Sequence, residues 1–96
     1  MKIENAAAQL SELGHVTRLS IYRNLVKAGN TGLSVSNIQQ ILKIPGSTLS
    51  HHINRLIHVN LISQIREGRV LRCVAQFNRL NKLIEFLIEE CCEKKC

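Results

Sequence analysis

Three cysteines stand close together near the C-terminus of this 96-residue chain, in the segment Glu-Glu-Cys-Cys-Glu-Lys-Lys-Cys at positions 89–96. The thiolates of Cys91, Cys92 and Cys96 are soft ligands, which select soft metal ions over Mg²⁺ or Ca²⁺. Cys92 and Cys96 are one helical turn apart and Cys91 adjoins Cys92, so the three sulfurs converge on one centre if the helix frays after Cys92. The cluster predicts a site for a soft ion, with thiol redox chemistry and an incidental tail as alternatives.

A second group of polar side chains lies between Pro45 and Asn60, on one side of a predicted helix. Pro45 and Gly46 break the preceding helix, and Ser47 is a good N-cap for the new one. At roughly 100° per residue, the apolar side of this helix consists of Leu49, Ile53, Leu56 and Ile57. The opposite side carries Ser47, Ser50, His51, Asn54 and His58, with Thr48 and Arg55 on its flank.

This polar face carries no acidic side chain, and nearly every group on it can donate a hydrogen bond. The major groove of DNA admits an α-helix and offers acceptors and donors on the base edges. The face therefore suits duplex DNA, whereas the alternative is an ordinary amphipathic helix with a solvated face. The segments that flank the helix decide between the two.

Three helices are predicted before this one, each bounded by a capping residue or a glycine. The first covers residues 5–13, from the cap Asn5 to Gly14, with an apolar stripe of Ala6, Ala7, Leu10 and Leu13. The second runs from Val16 to Ala28, with Val16, Leu19, Leu25 and Val26 inward and Tyr22 near the same interior. The third begins after the N-cap Ser34 and buries Val35, Ile38 and Leu42.

The third helix, the turn at residues 43–46 and the Ser47 helix form a helix-turn-helix at about residues 34–59. The apolar segments Leu61–Ile65 and Val70–Ala75, joined by Arg66-Glu67-Gly68-Arg69, predict a β-hairpin with a basic tip, a wing at about residues 61–75. Alternation puts Cys73 on one face with Leu71 and Ala75, which predicts a buried, inert thiol. A last helix is predicted at about residues 78–96, with Leu80, Leu83, Ile84, Leu87, Ile88 and Cys91 at helical spacing.

Composition narrows the classes of partner. Thirteen Lys and Arg against seven Asp and Glu give a net charge of +6, which favours a polyanion. The three aromatic residues are too few to stack single-stranded bases, so duplex DNA is the better candidate. No signal peptide or membrane span is recognisable, which predicts a cytoplasmic protein with reduced thiols. No carboxylate-histidine-nucleophile set or phosphate-cradling glycine loop is visible, which argues against an enzyme.

Four motifs follow one another along the chain: His15–Ile21, Leu33–Val35, Ser47–Ile53 and Arg66–Arg69. In this order they resemble one known family, the ArsR/SmtB metal-sensing repressors, and the resemblance covers nearly the whole chain, from about residue 5 to residue 92. It implies one mainly α (α+β) domain over residues 1–96, a winged helix-turn-helix of order α-α-α-α-β-β-α. It also implies a homodimer through the first and last helices, bound to a twofold double-stranded operator and released by a metal or metalloid.

Within that fold, the residues that contact DNA can be assigned. Recognition helices of this class read bases mainly from their N-terminal half. The predicted contacts on the helix are Ser47, Thr48, Ser50 and His51, followed one turn later by Asn54 and Arg55. On the wing, Arg66 and Arg69 can reach phosphates or the minor groove, with a solubilising basic turn as the alternative. His52 lies on the flank of the helix and is expected to be a structural hydrogen-bonding residue.

The family resemblance and general coordination chemistry also favour one inducer. Three thiolates without a fourth ligand suit trivalent arsenic (arsenite), or antimonite, and no cofactor is required. The best-known arsenic sensors carry their cysteines at the start of the helix-turn-helix, but residues 34–43 contain none. The absence of His and Asp from residues 78–90 and of Cys from residues 16–28 points away from zinc and persulfide sensing. The alternatives are a thiol-redox repressor, a Cd²⁺- or Pb²⁺-type divalent sensor, and a DNA-binding protein without regulation.

Overall fold

The computed structural model describes residues 1–92, which form a winged helix-turn-helix. Its elements within those residues are α1 (Ile3–Leu13), α2 (Val16–Ala28), β1 (Leu33–Ser34), α3 (Val35–Leu42), α4 (Gly46–His58), β2 (Ile62–Glu67), β3 (Val70–Ala75) and α5 (Phe77–Ile88). A short 3₁₀ turn, Gly29–Thr31, joins α2 to β1. The predicted order of helices and wing strands is confirmed, and β1 is an additional strand. No helix among the described residues is long and apolar enough to cross a membrane.

The wing is a three-stranded antiparallel sheet in the order β1-β3-β2. Strands β2 and β3 pair from Ile62↔Ala75 to Glu67↔Val70, which leaves a two-residue turn. The first residue of that turn, Gly68, has a φ of 61°, which glycine adopts without a steric penalty. The two residues of β1 are too few to show alternation in the sequence, so only the capping role of Ser34 was predictable.

Gly32 allows β1 to approach β3. Its φ is 69°, and a Cβ built there would collide with the backbone carbonyl oxygen of Cys73 and lie 2.8 Å from Cγ2 of Val74. Leu33 then pairs with Cys73, and Ser34 with Arg72. The loop after α2 is thereby attached to the root of the wing.

The core lies between α2, α3, α4 and the hairpin. Its buried side chains are Ile21, Tyr22, Leu25, Ile38, Leu49, Ile53, Leu56, Leu61, Ile62, Cys73 and Ala75. Cys73 is 0% exposed, which confirms the predicted burial, and burial raises the pKa of its thiol, while its inertness stays a prediction. The inward direction predicted for Val16, Leu19 and Val26 is wrong, since all three are exposed. Leu25 and Tyr22 are buried as predicted, and Ile21 completes the inner side of α2.

Helix α1 begins earlier than predicted and buries polar groups. It starts at Ile3 with Lys2 as the N-cap residue, so Asn5 is not the cap. Its buried residues are Ala6, Gln9 and Glu12, whereas Ala7 and Leu10 of the predicted stripe are exposed. The inner side of α1 is polar because it forms hydrogen bonds with α4 and with Val59, the residue after α4. Gln9 Nε2 donates to the carbonyl oxygen of Val59 at 3.0 Å.

Helix α5 ends earlier than predicted, at Ile88 rather than beyond Cys92. Glu89 is extended, and Glu90 and Cys92 have φ values of 62° and 61°, which an α-helix cannot contain. Cys91 therefore does not continue the stripe of α5. On the helix, Leu83 is buried, but Ile84, Leu87 and Ile88 are 46%, 56% and 61% exposed.

Candidate nucleic-acid interface

Helix α4 follows a sharp break in the chain. Lys43, the C-cap residue that follows α3, is left-handed with a φ of 54°, and Pro45 is the N-cap residue of α4. The helix begins at Gly46, so Ser47 lies in its first turn and is not the cap. The expectation for Ser47 as N-cap is wrong because the fixed φ of proline lets Pro45 precede the helix directly. Ser47 remains exposed on the first turn.

The two faces of α4 separate as predicted. Leu49, Ile53 and Leu56 are at most 1% exposed and attach the helix to the core. The predicted DNA contacts are all exposed: Ser47, Thr48, Ser50, His51, Asn54 and Arg55. The structure therefore brings these six side chains together on the accessible surface of one helix.

His52 is the buried member of the histidine pair. It is 8% exposed, and its Nδ1 lies 3.1 Å from Nη1 of Arg18 on α2. Its ring centroid is 4.7 Å from that of His15, whose Nδ1 accepts a hydrogen bond from the backbone of Thr17. Burial, followed by the neighbouring positive charges, lowers the pKa of His52. The expectation that this side chain is a structural hydrogen-bonding residue is confirmed.

Arg55 has a partner that the sequence did not reveal. Its Nε donates to both carboxylate oxygens of Glu12, at 2.9 and 3.0 Å, while the side chain stays 49% exposed. Arg18 also contacts Glu12. Its Nε donates to the backbone carbonyl oxygen of Glu12 at 2.7 Å, and its Nη2 lies 3.5 Å from the carboxylate oxygen Oε1. No spacing rule links Glu12 to Arg55, because 43 positions separate them.

The wing carries the two remaining predicted contacts. Arg66 and Arg69 are exposed, and Nη1 of Arg66 lies 3.4 Å from the carbonyl oxygen of Gly68. Arg69 also borders a shallow groove of about 210 Å³ that reaches Ser34 and Ser36 at the start of α3. Arg72, in contrast, donates to Glu67 at 2.5 Å and is partly covered. Arg69 of the turn therefore adjoins the start of α3, the first helix of the helix-turn-helix.

The predicted cysteine site is only partly described. Cys91 is exposed, and its Sγ lies 3.6 Å from that of Cys92. Cys96 lies outside the described residues. Within residues 1–92, no three His, Cys, Asp or Glu side chains are grouped so that they could hold a metal ion. The three-thiolate site therefore stays a prediction.

Residues 13–65 of the chain match the family described as helix-turn-helix domain. Over 56 residues the chain is 39% identical to the transcriptional repressor PagR of Bacillus anthracis, a stretch that covers 58% of this chain and 54% of PagR. The matching part thus spans about half the length of that curated relative. The family match over residues 13–65 includes α2, the helix-turn-helix and the first part of the wing.

Solved structures agree with the fold over a longer range. An ArsR-like transcriptional regulator from Rhodococcus sp. RHA1 has a TM-score of 0.77 and 26% identity, over 88% of this chain and 77% of that one. The PagR crystal structure has a TM-score of 0.72 and 29% identity, over 88% and 94% of the two chains. The homodimeric winged helix-turn-helix DNA-binding domain Mb0332 from Mycobacterium bovis has a TM-score of 0.72 and 21% identity, over 92% and 82%.

Proposed function

This chain belongs to the helix-turn-helix domain family, and we propose that it is a transcriptional repressor of a metalloid-resistance operon, of the ArsR type. The observation that carries DNA binding is the exposed polar face of α4, which holds no carboxylate and lies on a chain of net charge +6. The proteins that resemble this chain, including the repressor PagR, are named as transcription regulators, and such proteins are not enzymes. The proposed location of this repressor is the cytoplasm, where DNA and reduced thiols are both present.

The proposed DNA contacts follow from the placement of side chains on α4 and the wing. The N-terminal half of a recognition helix approaches the base edges, which assigns base contacts to Ser47, Thr48, Ser50 and His51. Asn54 and Arg55 lie one turn further along the exposed face. Arg66 and Arg69 contact phosphates or the minor groove from the wing, which adds affinity that depends on salt.

We propose a homodimer because a twofold operator presents two half-sites about 34 Å apart. The surface for it consists of α1 and α5, which leave Ile3, Leu10, Ile84, Leu87 and Ile88 exposed at 41–67%. An apolar surface of this kind is a candidate for burial in an interface. The similar domain from Mycobacterium bovis is homodimeric, which supports this arrangement.

The proposed inducer is trivalent arsenic, or antimony, bound by Cys91, Cys92 and Cys96. Cys91 is exposed and shortly follows α5, so an ion bound there acts next to the proposed dimer helix. Gathering the thiolates changes the chain at the end of α5 and, through the dimer, the distance between the two recognition helices. The ion releases DNA only to the extent that it binds the free protein more tightly than the DNA-bound protein.

The experiment that tests this function is a titration of the reduced protein on DNA from upstream of its own gene, followed by fluorescence anisotropy. Arsenite, antimonite, Cd²⁺, Zn²⁺ and peroxide are added in turn to the wild type, to the triple variant Cys91→Ser/Cys92→Ser/Cys96→Ser and to Cys73→Ser. Release by the two metalloids that is lost in the triple variant and kept in Cys73→Ser is the expected result.

Two other outcomes would replace the proposed inducer. Release by Cd²⁺ but not by arsenite would make the protein a thiolate-rich divalent sensor. Release by peroxide alone would make it a redox-responsive repressor. Loss of the metalloid response in Cys73→Ser, with the fold intact, would overturn the assignment of Cys73 as inert.

A further inference from the structure

A buried carboxylate lies between the N-terminal helix and the recognition helix. The side chain of Glu12, at the end of α1, is 10% exposed. It accepts two hydrogen bonds from Nε of Arg55 on α4 and lies 3.5 Å from Nη2 of Arg18 on α2. One acidic side chain thus joins three helices, and each helix contributes one residue to the contact.

The charge balance at Glu12 is favourable only while its partners stay in place. A carboxylate taken out of water is costly unless cations and hydrogen bonds replace its hydration. The hydrogen bond from Arg55 lowers the pKa of Glu12, burial opposes this, and the charges of Arg55, Arg18 and His58 lower it further. Glu12 is therefore an ionised group in the fold, and it neutralises positive charge beside a surface on which positive charge attracts DNA.

The geometry of the contact also restricts the orientation of the Arg55 side chain. A guanidinium group is planar and presents its donors in a rigid fork. Because Nε of Arg55 binds both oxygens of a carboxylate that is itself buried, the orientation of the fork is restricted. The side chain nevertheless remains 49% exposed, on the face of α4 that carries Asn54 and His51. An ordered side chain loses less conformational entropy when it meets a partner.

We propose that Glu12 is a positioning residue for operator recognition, which holds Arg55 of α4 in the orientation that meets DNA. It does so from α1, so it also joins a helix of the proposed dimer surface directly to the recognition helix. This inference rests on the proposed DNA-binding function. It adds to that function an acidic residue that does not itself touch DNA.

Charge alone predicts the opposite of this proposal. Replacing a glutamate by glutamine raises the net charge by one, which on general electrostatic grounds strengthens binding to DNA. If Glu12 positions Arg55, Glu12→Gln weakens operator binding despite that gain. Glu4 provides the matched control, since it lies on the same helix, is exposed, and gives the same change of charge.

A double-mutant cycle separates positioning from general support of the fold. Operator affinity is measured by anisotropy for the wild type, Glu12→Gln, Arg55→Gln and the double variant. We expect Arg55→Gln to weaken binding on the order of tenfold and Glu12→Gln to weaken it by roughly threefold to tenfold. In the Arg55→Gln background the Glu12→Gln change should have less than about a twofold effect. Glu4→Gln should bind at least as tightly as the wild type.

Each contrary result has a separate meaning. A Glu12→Gln variant that binds as tightly as Glu4→Gln overturns the inference, and so does an equal loss in both backgrounds. If Glu12→Gln unfolds, Arg55→Lys provides the test, because it keeps the charge but not the planar fork. Arg55→Lys that binds like the wild type overturns the inference. Failure of the wild type to prefer its own upstream DNA over random DNA would instead overturn the proposed function.

Discussion

Helix α4 and the segment after α5 carry the two proposed binding functions, and they are built in opposite ways. The exposed side chains of α4 stand on a helix whose inner residues, Leu49, Ile53 and Leu56, are at most 1% exposed. Cys91 and Cys92 are exposed and lie in a turn beyond the end of α5 at Ile88. The α4 face is thus supported by the core of the domain, whereas Cys91 and Cys92 follow the end of α5.

The difference agrees with what each site is proposed to bind. Base edges and phosphates occupy fixed positions on DNA, so the residues that read them need a rigid support. Thiolates that bind an ion can be brought together by the binding energy itself, because metal binding is coupled to local folding. The comparison therefore predicts that substitutions near the helix-turn-helix affect stability or DNA affinity, whereas those at the cysteines affect only the response to the inducer.

The largest effect is expected for Gly32→Ala, at the root of the wing. The new Cβ would collide with the carbonyl oxygen of Cys73, and the residue would keep an unfavourable φ of 69°. We expect a loss of about 3 kcal/mol in the free energy of unfolding, measured by urea denaturation. Gly68→Ala is the control, because its φ is 61° but no atom lies within 4 Å of its Cβ position. A loss no larger than that of Gly68→Ala would show that the collision is relieved at little cost.

Arg69→Ala is expected to weaken operator binding with no change in stability. Removing one phosphate contact should cost about 1 kcal/mol of binding free energy and reduce the slope of log K against log salt by about 0.9. Titrations at several salt concentrations measure both values. Lys27→Ala removes the same charge from the exposed end of α2 and serves as the control. An unchanged slope for Arg69→Ala would place the wing away from the phosphates.

Acid should destabilise the helix-turn-helix side of the molecule. The pKa of His52 and that of Glu12 are both lowered in the fold, so the unfolded chain binds protons more readily than the folded one. The stability from His52 is fully present above its unfolded pKa of about 6.5 and is lost as the pH falls through the folded pKa. Glu12 adds a second loss at lower pH. In urea denaturation between pH 7.5 and pH 4 at roughly constant salt, replacing His52 by Gln should flatten the upper part of this dependence, whereas His51→Gln should not.

The smallest effect on the folded protein is expected for Cys91→Ser. Because Cys91 is exposed and lies outside the helices, the unfolding free energy should change by less than about 0.5 kcal/mol. Operator affinity should stay the same in the absence of metalloid, while release by arsenite should be lost. A clear change in affinity without inducer would show that the segment after α5 contributes to the DNA-binding conformation.

The sequence predicted those parts of the fold that depend on local patterns. Helix α2 has the predicted ends, Val16 and Ala28. Ser34 caps α3, since its Oγ accepts a hydrogen bond from the backbone N–H of Asn37 at 3.0 Å. The exposed face of α4 was predictable because helical periodicity alone separates it from Leu49 and Ile53.

The parts that were missed depend on contacts between distant positions. The inner side of α1 is polar because Gln9 bonds to Val59 and Glu12 to Arg55, 50 and 43 positions away. Glu90 and Cys92, just after the end of α5, are left-handed, and neither residue type predicts that conformation from the sequence. Glu12 was missed as part of the site for the same reason, since only the folded chain brings it to α4.

Ser34 has one further consequence, for the DNA rather than for the protein. It pairs with Arg72 in the sheet of the wing and caps α3 of the helix-turn-helix, so both parts share one residue. This shared residue therefore fixes the distance between the wing and the helix-turn-helix, which contains the proposed recognition helix α4. If the protein binds its operator as proposed, the DNA has to supply any bend or twist needed to contact both parts. We expect the protein to favour easily deformed base steps between its contact points, at positions that no side chain touches.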